Sequence, residues 1–182
     1  MQHPEPPTRR SSFLRRALGA AMFRIAAYEE VEHDRNATVQ AAGVVGLVAA
    51  AAAISNLNAG PLALLAGVLE AYAGWALWSG TCYLVGVKLF DGTADWGELL
   101  RTIGFAQTPG IILVLTVLPF LGTALYLAVL AWMIGTVLVA IRQALDFSSG
   151  RALATALAGF VPFMLVKTAI ELVFDLTPKL LP

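Results

Sequence analysis

From Ile111 to Ile141 the sequence runs through an apolar stretch without a charged side chain. As one helix this stretch would be about 45 Å long at 1.5 Å per residue, against a hydrocarbon core of about 30 Å. Pro119–Phe120–Leu121–Gly122 supplies a break, so two spans joined by a very short turn fit better. The rest of the chain has the same character. Hydrophobic residues make up 58% and charged residues 13%, where soluble domains carry about 25% charged residues. The charges are segregated, and long windows hold almost none. The expected fold is an all-α polytopic integral membrane protein with five transmembrane helices preceded by an amphipathic interfacial helix.

The five spans are expected at about residues 39–55, 64–88, 96–118, 123–141 and 151–174, within a membrane domain covering 36–175. In the first, Ala42, Gly46 and Ala50 recur at a spacing that lets helices approach closely in lipid. In the second, Trp75 and Trp78 share a face near mid-span, which suits packing better than an interfacial belt. A polar turn on Asp91–Gly92 follows, and Asp95 with Glu98 three residues later forms a capping-box start for the third span. Pro109 should kink that span. Gln107 and Thr108 are placed to satisfy the carbonyl it frees, or alternatively to line a polar cavity. Ser148 or Ser149 caps the fifth span, which Pro162 should bend.

Residues 1–10 are proline-rich and expected to be a disordered tail. Residues 11–35 carry an apolar stripe through Phe13, Leu14, Ala17, Leu18, Ala21, Ile25, Tyr28 and Val31, with Phe23, Arg24 and Glu32 out of place. This reads as a helix lying on the inner leaflet, with Arg9, Arg10, Arg15 and Arg16 near anionic headgroups. The alternative is a helix packed on the protein's own loops. The acidic residues Glu29, Glu30, Glu32 and Asp34 read as a solvated face. No cleavable signal peptide is expected, because a long charged region precedes the first apolar run.

With the N-terminus inside, the inner segments hold Arg9, Arg10, Arg15, Arg16, Arg24, Arg35, Lys88, Arg101, Arg142 and Arg151. The short outer tail at 176–182 holds only Lys179, and Lys167 lies within a span. The positive-inside rule therefore puts the N-terminus in the cytoplasm.

The run Trp75, Trp78, Tyr83–Leu84–Val85–Gly86, Gly92, Gly97–Glu98–Leu99–Leu100–Arg101, Gly104–Phe105–Ala106 and Pro109 resembles the bacterial branch of the Yip family (Ypt-interacting proteins). Trp132, Ala140–Ile141–Arg142–Gln143–Ala144–Leu145 and Arg151–Ala152–Leu153 agree with it, as do Val31, Asp34, Thr38 and Ala41. The resemblance covers most of residues 28 to 170. It implies five membrane helices, a cytoplasmic N-terminus and a non-enzymatic interaction or scaffold role. Eukaryotic members bind small Rab GTPases and act in vesicle traffic and membrane shaping. The Ala-, Leu- and Arg-rich, Lys-poor composition looks bacterial, which implies the inner membrane and a different partner.

The residues themselves point to no catalysis. No nucleotide fingerprint, HExxH, CxxC or Ser/His/Asp set is present, so no cofactor and no enzyme are expected. Cys82 is the only cysteine, and His3 and His33 lie far apart in polar segments, which disfavours a metal centre. Asp91, Asp95 and Glu98 around a helix start read as capping and solvation. Zero net charge argues against nucleic acid. Besides the bilayer, the expected partner is a second copy or another membrane protein. A transporter or channel subunit is the alternative, with Glu70, Gln107, Lys167 and Glu171 as its intramembrane polar groups. An intramembrane enzyme is the third reading, and it lacks a nucleophile–base pair. Glu70 and Lys167 lie at similar depths from the outer side, roughly 13 Å and 10 Å for upright helices. An interhelical pair competes here with a Lys167–Glu171 pair on one helix.

The five-span topology predicts opposite labelling of the two ends. In a Cys82→Ala background, a cysteine at Thr8 should be shielded from an impermeant thiol reagent in intact cells. One at Leu181 should be labelled. Labelling at both ends or at neither contradicts an odd number of spans.

Overall fold

In a computed structural model, residues 11–55, 60–118, 120 and 122–180 are described, without the side chains of Phe163 and residues 174–180. The expected tail with Arg9 and Arg10, residues 56–59, 119 and 121 of two expected turns, and the last two residues lie outside the described residues. Among the described residues every regular element is helical. Two short helices come first, α1 (Phe13–Ala21) and α2 (Ile25–His33). Then follow α3 (Ala37–Ser55), α4 (Pro61–Phe90), α5 (Trp96–Ala106), a 3₁₀ segment (Thr108–Val117), α6 (Gly122–Ala144) and α7 (Ser149–Leu180). Among the described residues five stretches are long and apolar enough to cross a membrane: Ala37–Ser55, Pro61–Phe90, Trp96–Val117, Gly122–Ala144 and Ser149–Val173. They coincide with the five expected spans to within a few residues.

The third span is the central one. Leu99, Thr102, Ile103, Gly104, Phe105 and Ala106 of α5 are all buried, and α5 packs on α1, α2, α3, α4 and α6. Its start is the expected capping box. The Asp95 carboxylate accepts from the Glu98 N–H, and the Glu98 carboxylate accepts from the Asp95 N–H, both at 2.7 Å. Pro109 does not simply kink a continuous α-helix; the chain changes to 3₁₀ geometry for ten residues, where runs beyond about four are uncommon. The physical cause is local. Pro109 has no N–H for the Phe105 carbonyl four residues earlier, and the Thr108 hydroxyl donates to that carbonyl at 2.6 Å. Further along, the Leu113 carbonyl accepts from the Ser55 hydroxyl of α3 and from the Thr116 hydroxyl, each at 2.7 Å. Gln107 contributes its backbone to the end of α5.

The N-terminal region differs from the single interfacial helix expected over 11–35. It breaks at Met22–Arg24 and folds back on itself. Phe23 has φ 58°, the left-handed position that usually takes glycine. The Phe23 N–H donates to Ala20 and the Arg24 N–H to Gly19, at 3.1 and 2.9 Å. These are the two bonds of a Schellman helix end. Gly19 then lets α2 come close: a Cβ there would lie 2.7 Å from the Cβ of Ala27. The residues that spoiled the helical wheel, Phe23 and Arg24, are those at the turn.

This hairpin leans against α5 and α6, alongside the third and fourth spans, and not flat across their ends. The side carrying its open end also carries the α4–α5 and α6–α7 loops; it is called the hairpin side below.

The longest contact in the bundle is between α4 and α7, and Gly159 sets its closeness. A Cβ at Gly159 would lie 2.7 Å from the Cys82 sulfur and against the Trp78 indole. Gly159→Val should therefore lower stability by about 1–3 kcal/mol, read as a lower melting temperature in detergent. Gly150→Ala, at a position with open space around it, should leave it nearly unchanged. Equal melting of Gly159→Val and the parent would mean that α4 and α7 do not cross there.

Candidate functional site

Two arginines on the hairpin side, Arg16 and Arg101, face inward. Arg16 is 2% exposed. Its guanidinium donates to Glu30 at 2.9 Å, to Asp34 at 2.8 Å and to Gln40 at 3.0 Å. The Ser11 N–H donates to the same Glu30 oxygen at 2.8 Å. Burial works against the Arg16 charge, but the hydrogen bonds to Asp34 and Glu30 outweigh it and hold the guanidinium charged. For Glu30 burial likewise opposes charge, and the bonds from Ser11 and Arg16 bring its pKa below the ordinary carboxylate range. The expectation that Arg16 meets lipid headgroups is thus corrected: the hairpin turns it onto α2 and α3. Arg15 is exposed. Nor are Glu30 and Asp34 a solvated acidic face, since both bind Arg16.

Arg101 plays the matching part from α5. It is 6% exposed and donates to the carbonyls of Val31 at 3.1 Å and Glu32 at 2.6 Å, the last turn of α2. A cation on those carbonyls satisfies them and complements the negative helix end. The Glu32 carboxyl is pushed up to about 6 by burial, with Glu98, Asp146 and Glu29 adding repulsion. Glu32, Glu98 and Asp146 thus bring negative potential to the surface between hairpin and loops.

The two loops clasp each other. Asp91 and Asp146 have φ 56° and 54°, a conformation Asp tolerates better than most residues. Gly92 has no room for a side chain: a Cβ there would meet Leu145 at 2.8 Å and Phe147 at 3.0 Å. Phe90 and Phe147 pack edge to face with centroids 6.2 Å apart, and Arg151 stands 5.9 Å over the Phe147 ring. The Thr93 hydroxyl donates to Asp146 at 3.2 Å. Arg142 contributes its carbonyl, which accepts from the Phe147 N–H at 2.9 Å.

A second polar constellation lies towards the far side. Lys167 of α7 is 3.0 Å from Glu70 of α4 and 2.6 Å from Glu171 one turn on. The interhelical and intrahelical pairs are both formed, so the two readings do not exclude each other. The three side chains line a cavity of about 380 Å³ with Ala49, Ala52, Ala53, Ala63, Leu64 and Gly67. Gln107 does not line it. The four polar groups singled out for a transport path therefore do not form one site.

Trp75 and Trp78 are packing residues with a polar function. Their indole N–H groups donate to the carbonyls of Leu100 at 3.0 Å and Ala156 at 3.1 Å, tying α4 to α5 and α7. Among the described residues no group of three or more His, Cys, Asp or Glu is placed to hold a metal ion. Sequence reasoning missed the bonds that dock the hairpin. The Trp132 indole donates to the Ala21 carbonyl at 2.7 Å, and the Tyr28 hydroxyl to Ala20 at 2.9 Å and Thr136 at 3.1 Å. The one signal was the interrupted wheel pattern at Phe23–Arg24.

A family model described as the Yip1 domain matches residues 17–170. No curated protein and no solved structure matches significantly.

If Lys167 holds α4 to α7 through Glu70, Glu70→Lys and Lys167→Glu should each reduce folded yield in detergent several-fold, because each leaves like charges together. The double reversal should recover most of it. A double variant no better than the worse single one would show that the two residues are not coupled.

Proposed function

The chain belongs to the Yip1-domain family of membrane proteins, and from that premise we propose that it is a non-enzymatic scaffold that binds a protein partner through its hairpin side. One observation carries this reading. On that side Arg16, Arg101, Leu145 and Phe147 lock the hairpin and the adjoining ends of the spans into a fixed platform, and the acidic groups Glu32, Glu98 and Asp146 mark its surface. A preformed surface with fixed charges loses little entropy on binding. Ten of the twelve Lys and Arg residues belong to that side in the five-span topology, which supports placing it in the cytoplasm of a bacterial inner-membrane protein. Organisation of the membrane or of other membrane proteins is the process such a scaffold serves.

The cavity at Glu70, Lys167 and Glu171 favours a second reading, a transporter or channel subunit. Against it, the Lys167 ammonium is already held by two carboxylates, and Gln107 stands apart.

A photo-crosslinker at Asp91 or Arg35, both exposed on the hairpin side, should give one discrete adduct in native membranes. The same group at Leu118 on the far side should give none. No adduct from the hairpin side, together with solute flux in vesicles containing the purified protein alone, would replace the scaffold reading by the transport one.

A further inference from the structure

The depth of the α1–α2 hairpin can be read from α6. Its anchors there are Thr136, Gly135 and Trp132. Tyr28 reaches the Thr136 carbonyl, the Phe23 ring lies 3.0 Å from where a Gly135 Cβ would stand, and Trp132 holds the Ala21 carbonyl. Measured from Ile141, the last apolar residue before Arg142, these anchors lie roughly 8, 9 and 14 Å along α6 at 1.5 Å per residue. The middle of a 30 Å hydrocarbon core is about 15 Å in. The turn at Met22–Arg24 therefore lies well inside the hydrocarbon of the hairpin-side leaflet and short of its midplane, and the chain then returns to the side it came from.

The outward face of the hairpin matches that depth. Leu14 and Leu18 of α1 and Met22, its C-cap, follow at four-residue spacing and are 63%, 48% and 49% exposed, and Phe23 and Ile25 carry the apolar surface round the turn. At the same level of α6, Leu130 and Ile134 are also exposed, so the surface joins the lipid-facing surface of that span. The turn is built for a dry medium. The N–H groups of Met22, Phe23 and Arg24 are bonded to Leu18, Ala20 and Gly19, and the carbonyls of Ala20 and Ala21 receive Tyr28 and Trp132. Arg24 fits too. Its stem packs against Gly19, with Cβ and Cδ each 4.0 Å from the Cβ position there. A side chain of that length lets the cation reach towards the interface.

We infer that α1–α2 is a half-membrane hairpin whose outer stripe, Leu14–Leu18–Met22–Phe23–Ile25, is covered by phospholipid acyl chains of the leaflet on the hairpin side. The protein then has a wider cross-section in that leaflet than in the other. The inference is independent of the scaffold reading and holds for either orientation.

Single cysteines at Leu14, Leu18 and Met22, in the full chain carrying Cys82→Ala, are labelled with a nitroxide. The protein is reconstituted in phosphatidylcholine–phosphatidylglycerol vesicles. Collision with oxygen is compared with collision with a water-soluble nickel complex, with a label at Arg35 as the aqueous reference. The oxygen-to-nickel ratio should rise several-fold from Leu14 to Met22, up to a depth difference of about 12 Å for an upright helix. Equal, shallow ratios at all three sites would overturn the inference in favour of a helix lying on the surface. Shielding from both reagents would overturn it in favour of a second copy covering the stripe. Should Cys82→Ala fold poorly, the native background serves, since Cys82 is 0% exposed.

Discussion

The interaction on which this architecture most depends is a side-chain donor on a neighbouring helix's backbone carbonyl. In hydrocarbon no water competes for such a carbonyl, and a donor left unpaired costs several kcal/mol. Trp75, Trp78, Trp132, Tyr28, Thr136, Ser55 and Arg101 all make this bond across an interface. Each one fixes register where apolar packing against lipid-like neighbours would leave a helix free to slide. Small residues do the complementary work. Gly159 under Trp78, and Gly46 under the Tyr72 hydroxyl, bring backbones close enough for the bonds to form.

The hairpin side extends the same logic to charges. Arg16 and Arg101 are nearly buried, yet each faces groups that complete its hydrogen bonding: two carboxylates and an amide in one case, a helix end in the other. Removing one partner from such an arrangement leaves a buried charge uncompensated and costs on the order of 3–5 kcal/mol. The hairpin is therefore held at both ends, by Arg16 at the open end and by Trp132 and Tyr28 near the turn. Its sequence neighbours are few, but its anchors lie on α3, α5 and α6. Glu32 is the exception in this network: its carbonyl is satisfied by Arg101, while burial, with added repulsion from Glu98, Asp146 and Glu29, pushes its carboxyl up to about 6.

Much of this was legible in the chain. Five apolar windows, separated by charges or by Pro- and Gly-containing breaks, read as spans because the bilayer sets helix length and forbids open backbone. The Asp95–Glu98 cap and the Thr108 bond to the carbonyl freed by Pro109 were legible because both are local, closing within four residues. The 3₁₀ course after Pro109 was not, since it draws on Ser55 in another helix. The break at Phe23 was obscured for a similar reason. An aromatic residue in a left-handed position is unfavourable locally, and here it packs on Gly135 of α6 beside the bond from Trp132, contacts that lie far away in the sequence.

By itself, then, the sequence determined the class, the five long apolar helices and the Asp95–Glu98 cap, because each follows from hydropathy over a bilayer's thickness or from bonds within one turn. Tertiary structure alone decided where the cations point. Arg15 and Arg16 are neighbours of identical chemistry, and on a helix drawn alone both belong to the polar face. Folding α1 back on α2 gives Arg16 to Glu30, Asp34 and Gln40 and leaves Arg15 exposed. The same fold-back converts an amphipathic surface helix into a hairpin seated beside α6. The difference lies in bonds between residues as much as 111 positions apart, and no local pattern encodes a bond of that reach.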